Sequence, residues 1–515
     1  MIAFTERGLS EPLQRTLITI CVMMATIMQA LDTTIANVAL PYMQGSLSAT
    51  LDQVSWVLTS YIVAAAIMTA PVGWLATRYG VKRVLVTAAA GFTFASMLCG
   101  IAHNIEEIVA YRLLQGMFGA ALVPLSQAVM LTIYPIEKRG WAMSLWGLGV
   151  MIGPIMGPTL GGWLTENYTW RWVFYINLPF GIATVMGLIA LMRDLPAERR
   201  PVFDWFGFLA LSIAIGSLQL MLDRGEQLGW FDSTEVCIEL AVSLTAAYFF
   251  IAHTMTWPTP FVPIEIFKDR NFVIGLGFMF MTGILLLASA ALMAPFLTGV
   301  MGYPIIDAGW LLGSRGIGMA IAMLFAGRIM SYSGPRAMLF AGLILSAASL
   351  YSSTEFSPET SARTIVAISM VQGVGLAFLF VPLNTVALST LPAAFRTEGT
   401  ATWTLIRNLG SSIGVSIVIA NLVNKTTVMR ARLVESVTDF NQGLADPLAA
   451  PLNPATEQGR ALLENIVNQQ AAIIAYANDF KLIMVLCLLA LPFVFFIRTP
   501  PGLMRSAPPP PSDAH

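Results

Sequence analysis

Fourteen long apolar runs constrain the fold of this chain more than any other feature. An α-helix needs about 20 apolar residues to cross the hydrocarbon core of a bilayer. Only 11% of the residues are charged, whereas soluble domains carry about 25%. Helices satisfy their own backbone hydrogen bonds in lipid, so we predict an all-α membrane protein with fourteen transmembrane helices. The runs lie near 16–40, 53–76, 84–102, 107–133, 141–165, 172–192, 204–222, 234–253, 272–299, 308–331, 337–353, 364–390, 400–423 and 480–498.

The loops between these runs alternate between basic and acidic. The positive-inside rule places the basic side, and with it both chain termini, in the cytoplasm. The net charge of −1 argues against nucleic acid as a partner, because a nucleic-acid-binding domain carries a basic patch. The four cysteines and three histidines are dispersed, so no metal site is predicted. The basic loops contain Arg78, Lys82, Arg83, Lys138, Arg139, Arg193, Lys268, Arg270, Arg328, Arg336 and Arg396.

An internal repeat divides the helices into six, two and six. A shift of 254 residues places Trp56 on Trp310 and Gly73 on Gly327, and a shift of 257 places Arg139 on Arg396. Ordered matches of this kind at a nearly constant offset indicate two related six-helix halves. Parallel six-helix halves with a substrate cavity between them are typical of secondary transporters.

The repeat gives the predicted domain limits. Residues 1–200 form an N-terminal six-helix bundle, 201–265 a two-helix insertion, and 266–500 a C-terminal six-helix bundle. The second bundle includes a long outer loop at 424–479, which is either a solvated surface loop or a docking surface for an external partner. Part of it, 455–477, could form amphipathic helix. The proline-rich tail 501–515 is predicted to be disordered and cytoplasmic.

Asp32 lies inside the first apolar run, at a depth where a carboxylate costs roughly 2.5–3.5 kcal/mol on insertion scales. Such groups usually mark an ion or substrate path. The alternative is an Asp near the outer end of the helix, wetted by headgroups or capping a break. The repeat places Leu286 at the position equivalent to Asp32, and Ser369 at the position equivalent to Arg112. This asymmetry suggests that the first half carries ion coupling.

Arg112 and Gln115 are one helical turn apart and share a face of the fourth run. Arg112 either extends to the outer interface or tunes the proton affinity of a carboxylate in the cavity. A nearby cation favours the ionised carboxylate, whereas burial favours the protonated form. Competition between these two effects is what a proton-coupled switch requires. We therefore take Asp32 and Arg112 as candidate proton-coupling residues.

Two segments have a composition that favours conformational change between the halves. The turn at 73–83 combines glycines with basic side chains, which suits either a gate or simple topogenic charge. The fifth run is crowded with Gly and Pro, which allow close helix packing and interrupt the backbone hydrogen bonds. The predicted gating residues are Gly73, Arg78, Gly80, Lys82, Arg83, Gly153, Pro154, Gly157 and Pro158.

Polar side chains within the apolar runs are the candidates for lining a substrate cavity. Arg315 and Arg407 could line its second half or pair structurally across helices. The many Met and Phe residues would suit varied apolar ligands. The predicted cavity residues are Gln29, Asn37, Gln115, Gln372, Asn384, Trp403 and Arg407.

Four of these segments together resemble signatures of a known family. Leu31–Pro41 resembles the helix-1 signature of the 14-helix drug:proton antiporters of the major facilitator superfamily. The segments 73–83, 112–116 and 149–162 resemble the loop, helix-4 and helix-5 motifs. The resemblance departs at Thr77, where the superfamily motif usually has Asp, so it does not imply a latch built on a carboxylate there.

The resemblance implies the major facilitator fold and export of hydrophobic, drug-like small molecules across the bacterial inner membrane. Proton entry would drive export, with Asp32 as the coupling carboxylate and Arg112 as the helix-4 arginine. It implies no enzyme activity and no cofactor beyond the proton gradient. It also implies two partners, a periplasmic membrane-fusion adaptor and an outer-membrane channel.

Three functions follow as hypotheses. The first is a proton-coupled multidrug exporter that works by alternating access. The second is an exporter of a single metabolite or siderophore on the same scaffold. The third is a membrane scaffold or sensor without transport, which the Gly/Pro-rich fifth run and the charges within apolar runs argue against.

Overall fold

The computed structural model describes residues 2–4, 10–194, 202–260, 262–435 and 456–499, and these are almost entirely helical. The exception is a short antiparallel ladder between β1 (Ile2–Phe4) and β2 (Met192–Asp194). The helices of the first half are α1 (Glu11–Ser46), α2 (Leu51–Thr69), α3 (Val72–Tyr79), α4 (Val81–Ile101), α5 (Ile105–Gly119), α6 (Leu122–Ile133), α7 (Arg139–Asn167), α8 (Trp172–Tyr175) and α9 (Asn177–Leu191).

Two further helices connect this half to the second. They are α10 (Trp205–Arg224) and α11 (Thr234–Thr256). They pack on each other, and α10 also contacts α2. The helices of the second half are α12 (Arg270–Pro295), α13 (Ile305–Ser333), α14 (Pro335–Ser353), α15 (Ala362–Ser389), α16 (Arg396–Glu435) and α17 (Glu457–Ala490).

The described residues form twelve helical segments that are long and apolar enough to cross a membrane. The bent pair α2–α3, which turns by 53°, makes thirteen. The bend follows from Pro71, which lacks a backbone donor and cannot continue a helix without clash. The fifth predicted run corresponds to α7, a 29-residue helix outside that group of thirteen. The total of fourteen spans therefore stays a prediction.

Polar caps start several of these helices. Thr50 and Gln53 form a reciprocal capping box at the start of α2, and the Asn104 side chain accepts a hydrogen bond of 2.8 Å from the backbone of Glu107 at the start of α5. Ser361 and Thr456 cap α15 and α17 in the same way. Each cap satisfies one of the backbone donors that a helix start leaves unpaired.

Within the predicted outer loop 424–479, the described residues are helical at both ends, and 455–477 had been expected to allow amphipathic helix. Helix α16 continues to Glu435, and α17 already begins at Glu457; residues 436–455 and the tail 501–515 lie outside the described part. We name the paired segments 424–435 and 457–468 the outer hairpin. Arg430 and Glu464 form an ion pair between its arms, with 2.9 Å between Nη2 and Oε1. Hydropathy identifies only the segment that contacts lipid, so it did not reveal that α16 continues as polar helix beyond residue 423.

The two halves meet at one end of the bundle, which we name the basic end because it carries Arg78, Arg139, Arg328 and Arg396. Here α7 lies against α13 so closely that a Cβ atom on Gly327 would be 2.8 Å from the backbone nitrogen of Trp141. Further along α13, a Cβ atom on Gly309 or Gly313 would meet no heavy atom within 4 Å. Helix α13 is therefore packed at the basic end and open towards the opposite end.

This contact gives a stability prediction. We expect Gly327→Val to destabilise the protein by about 1–3 kcal/mol, because the added side chain overlaps the backbone of α7. Gly309→Val is the matched control on the same helix and should leave stability unchanged. Thermal unfolding in detergent checks both variants, and equal unfolding temperatures for the two would contradict the close α7–α13 contact.

Candidate functional site

Asp32 and Arg112 form a fully buried ion pair inside the first half. Neither side chain is exposed, and Nη1 of Arg112 lies 2.6 Å from Oδ2 of Asp32. The other carboxylate oxygen accepts hydrogen bonds from Gln115 Nε2 at 2.8 Å and from Asn177 Nδ2 at 3.2 Å. Both oxygens therefore have donors, which is the arrangement that stabilises an ionised carboxylate away from water.

The backbone and two aromatic rings hold the Arg112 side chain in place. Its Nε donates to the backbone oxygen of Val57 at 3.1 Å, and its Nη1 also donates to Oε1 of Gln115 at 2.7 Å. The guanidinium carbon lies 4.3 Å from the centre of the Tyr61 ring and 5.6 Å from that of Phe174. A cation over an aromatic face is attracted by the ring quadrupole. Arg112 thus stays in the core and does not extend to the interface.

Two residues of this site were not identified from the sequence. These are Asn177 and Ser96, neither of which was singled out. In the structure, Asn177 Nδ2 also donates to Ser96 Oγ at 3.0 Å, and Ser96 donates to the backbone oxygen of Phe174 at 2.9 Å. The available signal was an amide side chain at the start of an apolar helix, where it must find polar partners.

The predicted cavity residues separate into two groups. Gln115 belongs to the Asp32 site, and Gln29 reaches the edge of it by donating to the Tyr61 hydroxyl at 3.3 Å. In contrast, Asn384 joins the two halves near the basic end. Its Oδ1 accepts from Gln127 of the first half at 2.6 Å and from Trp403 at 2.8 Å.

The other predicted cavity residues lie apart from both groups. Asn37 is exposed, and Gln372 is buried on α15. Arg407 is half-buried and contacts Oδ1 of Asn408 at 3.3 Å. Arg315, also half-buried, donates to Ser289 on α12 at 2.8 Å. A substrate cavity lined by the seven residues therefore stays a prediction.

A cavity of about 670 Å³ lies elsewhere, at the start of α10 and the end of α11. Phe203, Trp205, Phe206 and Trp257 line it together with the hydrogen-bonded pair of Asp204 and His253. It is distant in sequence from every predicted cavity residue.

The loop motif at 73–83 contains a contact that the sequence did not predict. Thr77 donates to Oε1 of Glu398, across the two halves, at 2.6 Å. A Cβ atom on Gly73 would lie 2.7 Å from the Cα of Glu398, so only Gly permits this approach. The contact between the halves at Thr77 is thus made with a carboxylate of the second half.

The remaining predicted gating residues have individual contacts. Arg78 lies 5.9 Å from the centre of the Trp74 ring, and Lys82 donates to the backbone oxygen of Ile189 at 2.9 Å. Gly80 has a φ of +92°, which favours glycine and allows the turn between α3 and α4. Arg83 is exposed.

The predicted moving helix α7 packs against α1 through its glycines. Cβ atoms on Gly153 and Gly157 would overlap Ala30 and Thr34 of α1, and Thr34 donates to the backbone oxygen of Gly153 at 2.9 Å. The helix is continuous through positions 154 and 158, while the side chains of Pro154 and Pro158 lie outside the described part. The Gly-rich face therefore holds α7 next to the helix that carries Asp32.

Two helical halves around buried charged residues define a membrane transporter, and comparison with known proteins supports this class. The Major Facilitator Superfamily profile matches residues 22–307 and 272–426. The chain belongs to the Major Facilitator Superfamily. The structure superimposes on the proton:xylose symporter XylE with a TM-score of 0.59, over 94% of this chain and 97% of that one, at 15% sequence identity, which supports the fold alone.

Named relatives match over almost the full length. The chain is 34% identical to the multidrug export protein EmrB of Escherichia coli (strain K12) over 96% of this chain and 97% of that protein. It is 33% identical to the fatty acid resistance protein FarB of Neisseria gonorrhoeae over 94% and 96%. These comparisons confirm the predicted family.

The buried ion pair gives a second stability prediction. Asp32→Asn leaves the buried Arg112 without its counter-charge, which should destabilise the protein by about 3–5 kcal/mol. The double variant Asp32→Asn/Arg112→Gln removes both charges, so we expect it to be more stable than the single variant. Thermal unfolding of both proteins in detergent tests this, with exposed Glu137→Gln as the control. A double variant less stable than Asp32→Asn would contradict the charge-pair account.

Proposed function

We propose that the protein exports hydrophobic, drug-like molecules across the bacterial inner membrane in exchange for protons. The observation that carries this proposal is the fully buried Asp32–Arg112 pair in one half of a two-half transporter. Export of varied compounds is further supported by similarity to proteins named for multidrug export and for lincomycin resistance. A non-transporting scaffold has no need of a buried ion pair, which costs desolvation energy, so the protein acts as a transporter and not as an enzyme.

The geometry links protonation of Asp32 to rearrangement. The ionised pair is neutral as a whole and fully hydrogen-bonded at the carboxylate. A proton on Asp32 would leave Arg112 as a buried cation whose remaining partners are neutral: Gln115, Val57 and the rings of Tyr61 and Phe174. An uncompensated buried charge is costly. Proton binding at Asp32 therefore favours a different packing of α1, α5 and α9, and this couples the proton to the alternation of access.

The conformation fits the outward-facing state of such a cycle. The basic end faces the cytoplasm by the positive-inside rule, together with both termini. At that end Thr77 contacts Glu398, Gln127 contacts Asn384, and Gly140 lies against Gly327. These contacts close the halves on the cytoplasmic side, while α13 is open near Gly309 on the other side. Protons and exported molecules then exchange with the outside.

Efflux from membrane vesicles tests the proposal. In a pH gradient, we expect the native protein to expel ethidium and Asp32→Asn to lose coupled efflux while still binding the dye. The exposed Glu137→Gln serves as the control and should behave as the native protein. Unchanged efflux by Asp32→Asn would place proton coupling elsewhere, and no efflux of any compound by the native protein would favour the scaffold hypothesis.

The outer hairpin is the proposed docking surface for a periplasmic membrane-fusion adaptor, which would in turn contact an outer-membrane channel. On α16, twelve residues (424–435) extend beyond the predicted span by about 18 Å. Leu462 and Ile466, one turn apart on α17, are 45% and 42% exposed. Apolar side chains exposed on a helix outside lipid are typical of a protein interface.

Co-purification tests the docking surface. Leu462→Asp/Ile466→Asp should abolish co-purification of the adaptor, because two carboxylates are placed on the apolar stripe. Ala461→Asp/Asn468→Asp adds the same charge on another side of the same arm and should preserve it. Retention of the adaptor by the first variant would contradict docking at this stripe.

A narrower exporter is the second candidate, and one observation favours it. Within the described residues, Arg315 and Arg407 contact Ser289 and Asn408 and form no ion pair with a carboxylate. Half-buried cations without a counter-ion suit a substrate with an anionic group. A pump-deficient strain grown on a drug panel distinguishes the candidates, since protection against acids alone indicates the narrow exporter.

A further inference from the structure

A second buried carboxylate lies in the half that was expected to carry no ion coupling. Asp479 on α17 has no exposed surface. Its Oδ1 accepts a hydrogen bond of 2.5 Å from Nδ2 of Asn421 on α16. Its Oδ2 is buried and has no hydrogen-bond partner among the described residues. One oxygen of this carboxyl group is therefore left without a donor.

The surroundings of Asp479 are mainly apolar and aromatic. Its neighbours on α17, Tyr476 and Phe480, are buried, and the ring of Phe296 lies 5.1 Å from that of Tyr476 and 6.4 Å from that of Phe480 between ring centres. Helix α17 packs against α12, α14 and α16. The titratable groups that the described structure places in electrostatic contact with Asp479 are Lys425 on α16 and Tyr476 on α17.

Lys425 is close to Asp479 but does not neutralise it directly. It lies one turn beyond Asn421 on the same face of α16, and the two charged groups form no ion pair within 4.0 Å in the described structure. In this respect Asp479 differs from Asp32, whose two oxygens both have donors and whose charge is balanced by Arg112 at 2.6 Å.

The cost of burying a charge determines whether the carboxyl group of Asp479 carries a proton. An ionised carboxylate that is buried without sufficient partners is very costly, and the group binds a proton instead. The bound proton would also give Oδ2 a donor of its own. The protonated form of Asp479 is thus the form that fits the observed geometry, just as the ionised form of Asp32 fits its own site.

We propose that Asp479 is a second proton-binding site, and that its proton is exchanged with outside water during the transport cycle. This inference rests on the proposed proton-coupled export. In the exchange, the carboxylic acid releases one proton to water and keeps the negative charge as carboxylate. The ammonium group of Lys425, which keeps its own protons, then moves into contact and compensates that charge.

Helix α16 connects this site to the rearrangement of the halves. It carries Asn421 and Lys425, and it also carries Glu398, which contacts Thr77 of the first half. Separation of Glu398 from Thr77 displaces α16 relative to α17 and changes the partners of Asp479. Water is close on the outer side, because Val423 and Asn424 of α16 are exposed.

The first test measures proton binding without any substrate. Infrared difference spectra of the purified, lipid-reconstituted protein between acid and alkaline pH should show a protonated carboxyl band that is absent in Asp479→Asn. Lys425→Met, a substitution at a half-buried position, should shift the pH at which this band is lost, because the compensating cation is gone. A band unchanged in Asp479→Asn, or a Lys425→Met titration identical to that of the native protein, would overturn the proposal.

The second test measures exchange during transport. In proteoliposomes, the number of protons moved per ethidium should fall by about one in Asp479→Asn and be retained in Asp479→Glu. An unchanged ratio in Asp479→Asn would show that the proton is structural and overturn exchange. Failure of the proposed function has a different signature, since the native protein then moves no ethidium in a pH gradient, while the infrared test still decides whether Asp479 binds a proton.

Discussion

The low dielectric around Asp32 and Arg112 is the constraint on which the first half depends. Two opposite charges removed from water attract strongly, but their desolvation cost is large, so the pair persists only with further hydrogen bonds. Gln115 and Asn177 supply these to Asp32, and the backbone of Val57 supplies one to Arg112. Helices α1, α2, α5 and α9 are therefore held together by one charge balance. A proton added at this point disturbs the packing of all four helices at once.

The two halves share a fold, but their buried carboxylates, Asp32 and Asp479, have different partners. In the first half, an arginine compensates the carboxylate internally, and both carboxylate oxygens have donors. In the second half, Asp479 has one amide donor, an orphaned oxygen and a lysine that is near but not in contact. The repeated architecture thus holds two buried carboxylates whose partners differ in charge and in number.

Much of the fold could be predicted from the sequence. Apolar runs indicate which segments contact lipid, loop charge indicates their orientation, and the repeat indicates the division into halves. The positions of Asp32 and Arg112 also followed from sequence, since ionisable residues are conspicuous in apolar runs. Their partners did not: Asn177 and Ser96 are ordinary polar residues whose role arises only from tertiary contact. The Thr77–Glu398 contact joins residues 321 positions apart, which no local pattern reveals. The extension of α16 beyond 423 was missed because hydropathy does not distinguish polar helix from loop, whereas 455–477 had been expected to allow amphipathic helix.

Helix α16 is continuous over 40 residues, and this continuity has a mechanical consequence. A straight helix of that length measures about 60 Å, twice the thickness of the hydrocarbon core. It begins at the contact of Glu398 with Thr77 and ends in the outer hairpin, where Arg430 pairs with Glu464. A rigid rod that tilts by about 10° around its centre moves each tip by about 5 Å in opposite directions. A force applied to α16 in the outer hairpin is therefore transmitted to the contacts at the basic end, some 60 Å away.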